Sequence, residues 1–307
     1  MAPIELEEGY DKDYVAAVNI ASAPTGQLIP PSNTLIVYAT VAGSVSVAAL
    51  FMAGYIPGIA WGISLMFIAG YMAKKRGYVS TFSVTPKEAL KVLWDALPSL
   101  LLIIIVIGGI LKGVFTATEG SAIAVVYALI LSLCYRSLKI KDLPSIILSS
   151  CKTTCIVIFM IGVSSIMSWV MAYTMIPTAI ANAMLSLSSN KYVILLLMNV
   201  ILLVVGTFMD PTPAVLIFTP IFLPICQSFG MDPVQFGIMI VFNLCIGTIT
   251  PPVGVILFTG CKVVGISIEG VIKTLLPFFA AIAVVLLLVT YVPAMSMWIP
   301  SMLGLVK

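Results

Sequence analysis

Two clusters of hydroxyl, glycine and proline residues interrupt apolar stretches of this 307-residue chain in the same order. They are Thr25-Gly26-Gln27-Leu28-Ile29-Pro30-Pro31-Ser32 and Ile246-Gly247-Thr248-Ile249-Thr250-Pro251-Pro252. A helix broken at Gly-x-x-x-Pro-Pro leaves carbonyls of its first arm and N–H groups of its second without helical partners. Carbonyl oxygens suit a sodium ion, and N–H dipoles suit a carboxylate. Thr25, Ser32, Thr248 and Thr250 add hydroxyl oxygens of the hard kind that alkali cations prefer. A lone Pro-Pro pair could simply end a helix; its duplication in register favours an ion or substrate site.

A third cluster, Gly206-Thr-Phe-Met-Asp210-Pro-Thr212-Pro213, places a carboxylate between an apolar helix and two prolines. An ionised carboxylate inside a membrane is costly, and such residues are functional candidates. Asp210 therefore either stabilises a broken helix and a bound sodium or proton, or sits at an interface and caps the helix beginning near Thr212. Asn243, one helical turn before Gly247, is expected to face the second tip, orienting carbonyls there or capping. The sodium candidates are Asp210, Gly247 and Thr250. Glu119 follows Thr116 and Thr118 and opens a helix, so N-terminal capping is its leading explanation.

The elements that position these residues lie in a membrane. With 61% hydrophobic and 9% charged residues the chain lacks the polar surface of a soluble domain. The net charge of +3, with basic residues in short loops, fits the positive-inside bias and not nucleic-acid binding. There is no histidine, no paired catalytic carboxylate and no nucleophile motif, so an enzyme is not expected, nor a cofactor beyond coupling sodium ions. Six cysteines without metal-ligand spacing are expected to be buried free thiols. Met1-Ala-Pro-Ile-Glu-Leu-Glu-Glu does not read as a signal peptide. Trp61, Trp94, Trp169 and Trp298 are expected to anchor spans at interfaces or to pack in the bundle.

A bilayer crossing needs about 20 apolar residues. Residues 1–53 hold two shorter arms around the Gly26–Pro31 break, the second from Asn33 to Gly43, and read as a re-entrant hairpin. Residues 54–141 hold scaffold spans at 54–73, 97–113 and 118–135, with a charged amphipathic helix, Thr85–Asp95, entered through Thr85 and Pro86. Lys74, Lys75 and Arg76, and later Arg136, Lys139 and Lys141, mark the cytoplasmic side. Residues 142–307 hold an apolar segment from 144 to 176 ending near Pro177, and a loop over Ser186–Lys191. The broken helix near 206–213, a second hairpin at 232–262 and a final span at 268–292 follow.

The two hairpins match at a constant offset of 221, which also pairs Pro3 with Pro224, Gly9 with Gly230, Asp11 with Asp232 and Ser46 with Ser267. Counting the broken helix as one, five crossings separate the hairpins. An odd number inverts the second copy, and inverted repeats with broken helices characterise secondary transporters that bind substrate near the midplane. The expected fold is thus an all-α polytopic membrane protein with inverted repeats, two re-entrant helical hairpins and a discontinuous helix.

Gly206–Pro213 with Pro220 and Pro224, then Gly230-Met-Asp232-Pro233, Phe236-Gly237, Asn243 and Gly247-Thr-Ile-Thr-Pro-Pro-Val-Gly254, resembles the C-terminal half of the large membrane subunit of TRAP (tripartite ATP-independent periplasmic) transporters. Gly26–Ser32 resembles that family's first hairpin, and Phe115-Thr-Ala-Thr-Glu119 its Phe-Thr-Pro-Thr-Glu turn. The resemblance implies an elevator-type secondary transporter that drives import of an organic acid (a four-carbon dicarboxylate, sialic acid or a sugar-derived keto acid) with sodium across the bacterial inner membrane. It also implies a periplasmic substrate-binding protein and a small four-helix membrane subunit as partners. By it, the tips Gly26–Ser32 (with Pro30 and Pro31) and Gly247–Pro252 (with Pro251), and the break around Gly206, Asp210 and Thr212, line the sodium and substrate sites. The offset places the partner of Asp210 before Met1, so the first repeat is expected to lack its broken helix. A one-component sodium/organic-anion symporter and a non-transporting remnant are the alternatives.

Overall fold

The computed structural model describes residues 1–43, 45–78, 86–175, 179–180, 182–183, 186 and 190–306, which form two compact units. One joins Met1–Val79 with Val163–Lys307; the other is Ser80–Gly162. Secondary structure among the described residues is helical. In lipid no water satisfies the backbone, so helices must pair their own N–H and C=O groups.

The chain opens with four short helices, α1 (Ala2–Glu7), α2 (Lys12–Ser22), α3 (Thr25–Leu28) and α4 (Asn33–Ala42), and then α5 (Val47–Arg76). The unit Ser80–Gly162 contains α6 (Pro86–Leu111), α7 (Ala117–Cys134) and the start of α8 (Leu143–Tyr173). The chain ends with α9 (Lys191–Phe208), α10 (Pro211–Ser228), α11 (Pro233–Thr248), α12 (Val255–Val264), α13 (Ile268–Tyr291) and α14 (Ala294–Met302). Among the described residues six helices are long and apolar enough to cross a membrane: α5, α6 from Leu90, α7, α9, α10 and α13. The protein is an all-α polytopic membrane protein.

Helix boundaries repeat at the offset of 221. Helices α1 and α10 end at Glu7 and Ser228, α2 and α11 begin at Lys12 and Pro233, and α5 and α13 begin at Val47 and Ile268. The local chemistry repeats too. Gly9 and Gly230 both turn with positive φ (89° and 74°), Ser46 and Ser267 both cap the next helix, and both Pro-Pro bonds are cis. The copies part at Pro24, which stands where the second copy has Cys245. Proline removes a backbone donor and clashes with the preceding turn. Accordingly α2 stops at Ser22 and α3 forms a separate turn, whereas α11 runs through Cys245 to Thr248.

Helix α11 is the core of the first unit: every residue from Val234 to Ile249 is buried. It packs against α9, α10 and α13 and against α4 and α5. A helix that is apolar all round belongs in such a position. The mouth of α2 is tied down by Arg76, whose guanidinium forks onto Asp13 (2.9 and 2.6 Å) and reaches Asp11 (3.0 Å). Arg76 also donates to Thr274 Oγ1 (3.2 Å), which joins α2, α5 and α13.

Several expected boundaries are corrected. Helix α5 runs unbroken across residues 53 and 54, so the span expected at 54–73 starts at Val47 and ends at Arg76. Likewise the amphipathic segment and the span expected at 97–113 are one helix, α6. Thr85, Pro177 and 187–189 lie outside the described residues. Cys226, Cys245 and Cys261 are buried thiols, but Cys134, Cys151 and Cys155 are exposed. The arms α9 and α10 have 18 residues each, about 27 Å at 1.5 Å per residue. Each is long enough to cross alone, whereas the sequence count takes them as one crossing.

Candidate functional site

The break between α9 and α10 is made by Met209 and Asp210, both extended (φ −122°, ψ 146°; φ −64°, ψ 147°). Pro211 opens α10, where its missing N–H costs nothing. The exposed Asp210 carboxylate accepts the N–H of Thr212 (3.1 Å), so of the two sequence readings the structure displays the cap. Asp232 caps α11 in the same way, accepting from Val234 N at 2.7 Å.

At the second tip the hydroxyls turn back on their own helix. Thr248 Oγ1 donates to Cys245 O and Thr250 Oγ1 to Ile246 O, both at 2.7 Å. Thr250 N–H donates to Gly247 O at 3.0 Å. Carbonyls freed by the break are thus partly taken up locally, while each hydroxyl, having committed its proton, keeps oxygen lone pairs for an outside cation. After the half-buried Pro251 and exposed Pro252 comes Gly254, in a left-handed conformation (φ 41°).

Gly254 fastens the tip to the broken helix. Its N–H donates to Thr207 O at 3.1 Å. A Cβ at this position would lie 2.8 Å from Thr250 O and 3.2 Å from Thr248 O. Three carbonyl oxygens, from Thr207, Thr248 and Thr250, therefore gather around a residue without a side chain. Immediately before Thr207 and Thr248, Gly206 and Gly247 bring α9 and α11 into backbone contact.

Asn243 is fully buried, but its amide nitrogen serves Asn199 Oδ1 (2.6 Å) and Met239 O (2.8 Å) and not a tip carbonyl. Asn199 in turn donates to Thr290 Oγ1 at 3.1 Å, linking α9, α11 and α13. Asn243 Oδ1 has no hydrogen-bond partner among the described residues.

At the first tip Thr25 Oγ1 donates to Ser22 O (2.6 Å), and Ser32 caps α4 through Leu35 N (3.3 Å) while donating to Gln27 O. Gly26 and Pro31 are exposed and Pro30 is buried. The tip meets α11 where the Cys245 thiol reaches Gln27 Oε1 at 3.2 Å. Separately, Thr116 and Glu119 form a reciprocal capping box, with Glu119 N to Thr116 Oγ1 at 3.3 Å and Thr116 N to Glu119 Oε2 at 2.7 Å.

The profile described as "Tripartite ATP-independent periplasmic transporter, DctM component" matches residues 1–295. The chain belongs to the DctM component family. It is 52% identical to protein YgiK of Salmonella typhimurium over 98% of this chain and 69% of YgiK. It is 40% identical to the isethionate TRAP transporter permease protein DctMQ of Oleidesulfovibrio alaskensis, over 96% of this chain and 47% of that one. The C4-dicarboxylate TRAP transporter large permease protein DctM of Pseudomonas aeruginosa is 37% identical, over 98% and 70%. The chain thus spans from about half to seven-tenths of these relatives. Membership in the DctM family makes it a transporter component and not an enzyme.

In this DctM-family chain the structure brings Gly206 against Gly247, Thr207 against Gly254, and Gln27 of the first tip against Cys245 of α11, while Asp210 and Thr212 bond to each other. Sequence reasoning passed over Thr207 and Asn199, which bind Gly254 and Asn243. Asn199 carried a usable signal, an amide in the middle of an apolar helix. Thr207 carried none, because it acts through its main-chain carbonyl.

Proposed function

We propose that the chain is the large permease subunit of a sodium-coupled, binding-protein-dependent TRAP transporter that imports an organic anion across the bacterial inner membrane. The observation that carries this reading is the cage of Thr207, Thr248 and Thr250 carbonyls around Gly254, where a hairpin tip closes on a broken helix. Unwound backbone carbonyls at such breaks coordinate sodium, and helix N-termini face anionic substrate groups. The capped start of α10 supplies such an N-terminus, with Thr212 in its first turn. The first tip contributes Thr25, Gly26, Pro30, Pro31 and Ser32 to the opposite wall.

The two copies are inverted repeats in this reading, with α9 and α10 making one broken crossing, and the hairpins move together as an elevator against the scaffold spans. Coincident helix boundaries at the offset of 221 support the duplication. The names of the relatives support an acidic substrate, since isethionate and C4-dicarboxylates are both organic anions. A periplasmic binding protein delivers the substrate, and a small four-helix membrane subunit completes the scaffold.

The test is uptake of labelled isethionate and succinate into proteoliposomes that hold the chain with its membrane partner and binding protein. Uptake should require an inward sodium gradient and collapse when choline replaces sodium. Equal uptake in the two cations would refute the coupling.

A further inference from the structure

Within the unit Ser80–Gly162, α7 and the first half of α8 enclose an open groove of about 720 Å³. Val125 and Leu129 form one wall, Leu143, Ile147 and Cys155 the other, and Leu138 closes the end. The surface is almost wholly apolar. Leu138 belongs to the turn Tyr135–Asp142, in which Arg136, Lys139 and Lys141 are exposed and make no salt bridge among the described residues. Asp142 is the one acidic residue of that turn. Tyr135 is 57% exposed, as expected of an aromatic side chain at headgroup level.

The groove's depth identifies what fits it. It follows α7 from Ser132 back to Val125 and α8 from Leu143 to Cys155, about 10 and 18 Å at 1.5 Å per residue. One leaflet of hydrocarbon is about 15 Å deep, half of the bilayer core. A helix from another subunit would cross the full core, about 30 Å, and leave half of its length outside the groove. The charge identifies the headgroup. Three cations against one carboxylate favour a phosphodiester without a compensating ammonium, and basic pockets between transmembrane helices on the cytoplasmic side hold anionic lipid headgroups. We propose that the α7–α8 groove binds an anionic glycerophospholipid of the cytoplasmic leaflet, with its phosphate held by Arg136, Lys139 and Lys141 and an acyl chain lying along Leu129 and Ile147.

The full chain is placed in nanodiscs of equal phosphatidylglycerol and phosphatidylcholine, released into detergent, and its retained lipids are weighed by native mass spectrometry. Phosphatidylglycerol should be retained at least about tenfold over phosphatidylcholine. The triple variant R136Q/K139Q/K141Q should lose that preference and retain the two lipids equally, with unchanged thermal unfolding in lipid-free detergent. Ala128→Phe, which fills the groove and spares the rim, should abolish retention of both lipids. Equal retention of the two lipids by the unaltered chain, or undiminished phosphatidylglycerol in the triple variant, overturns the proposal. So does loss of the lipid on co-purification with the membrane partner, which would assign the groove to protein.

Discussion

Gly206 and Gly247 meet backbone to backbone. A Cβ on Gly247 would lie 2.6 Å from the Gly206 carbonyl oxygen and closer still to its carbonyl carbon and Cα. A Cβ on Gly206 would instead meet Gly247 Cα at 3.1 Å and Leu244 Cα at 3.2 Å. The contact is therefore asymmetric, and no rotamer change relieves it, because the opposing atoms are main chain. Overpacking of this kind costs about 1–3 kcal/mol and occasionally more. Gly247→Ala is expected at or above the top of that range and Gly206→Ala near the bottom, read as loss of thermal stability of the purified protein. Equal shifts for the two variants would contradict the geometry.

Asn199 and Asn243 give a second prediction. Interhelical polar pairs in membranes contribute about 0.6 kcal/mol on average and up to about 1.7. Asn199→Leu strips Asn243 of one acceptor while its Oδ1 is already unpartnered. Removing both amides together is expected to cost less than the sum of the single changes, with a coupling of about 1 kcal/mol. A double-mutant cycle on unfolding in detergent measures it, and strict additivity would show that the pair does not interact.

Acid should loosen the start of α2. The hydrogen bonds from Arg76 hold the Asp13 carboxyl down at about 2, against 3.8 for an unperturbed group. A carboxylate depressed on folding stabilises the protein above its unfolded pKa, and that contribution disappears as pH falls through the folded value. The Asp13 contribution is thus complete above about 4 and lost between about 4 and 2. Asp13→Asn should lower stability at neutral pH and flatten its pH dependence in that window. A variant with the same acid profile as the parent would remove Asp13 from the clasp.

Gly254→Ala tests the carbonyl cage. The position combines a φ of 41° with a Cβ that would stand 2.8 Å from Thr250 O. A left-handed conformation costs an L-residue about 1–2 kcal/mol, which corresponds to about five- to thirtyfold in an equilibrium constant. The sodium concentration for half-maximal uptake should rise within that range, while expression and membrane insertion stay close to those of the parent. An unchanged sodium dependence would place the coupling ion elsewhere.

Much of this architecture is legible in the residues. Proline lacks a donor and glycine lacks a Cβ, so Pro211, Pro30-Pro31 and Pro251-Pro252 announce their breaks without reference to anything distant. Apolar runs of 18 residues or more likewise announce spans. The boundaries that sequence reading misplaced, inside α5 and α6, fall where composition changes but the backbone ladder continues. Amphipathic and apolar turns form the same helix, and a shift in exposure does not break a hydrogen bond.

The sequence by itself thus determined a helical membrane chain interrupted at two Pro-Pro pairs and at Asp210-Pro211, because those features depend on local backbone chemistry. Only the tertiary structure decided that Asn243 turns to Asn199 and that Thr207 faces Gly254. Those outcomes depend on which helices pack together. Main-chain carbonyls are identical in every residue, so where they converge is invisible until the fold brings α9 against α11.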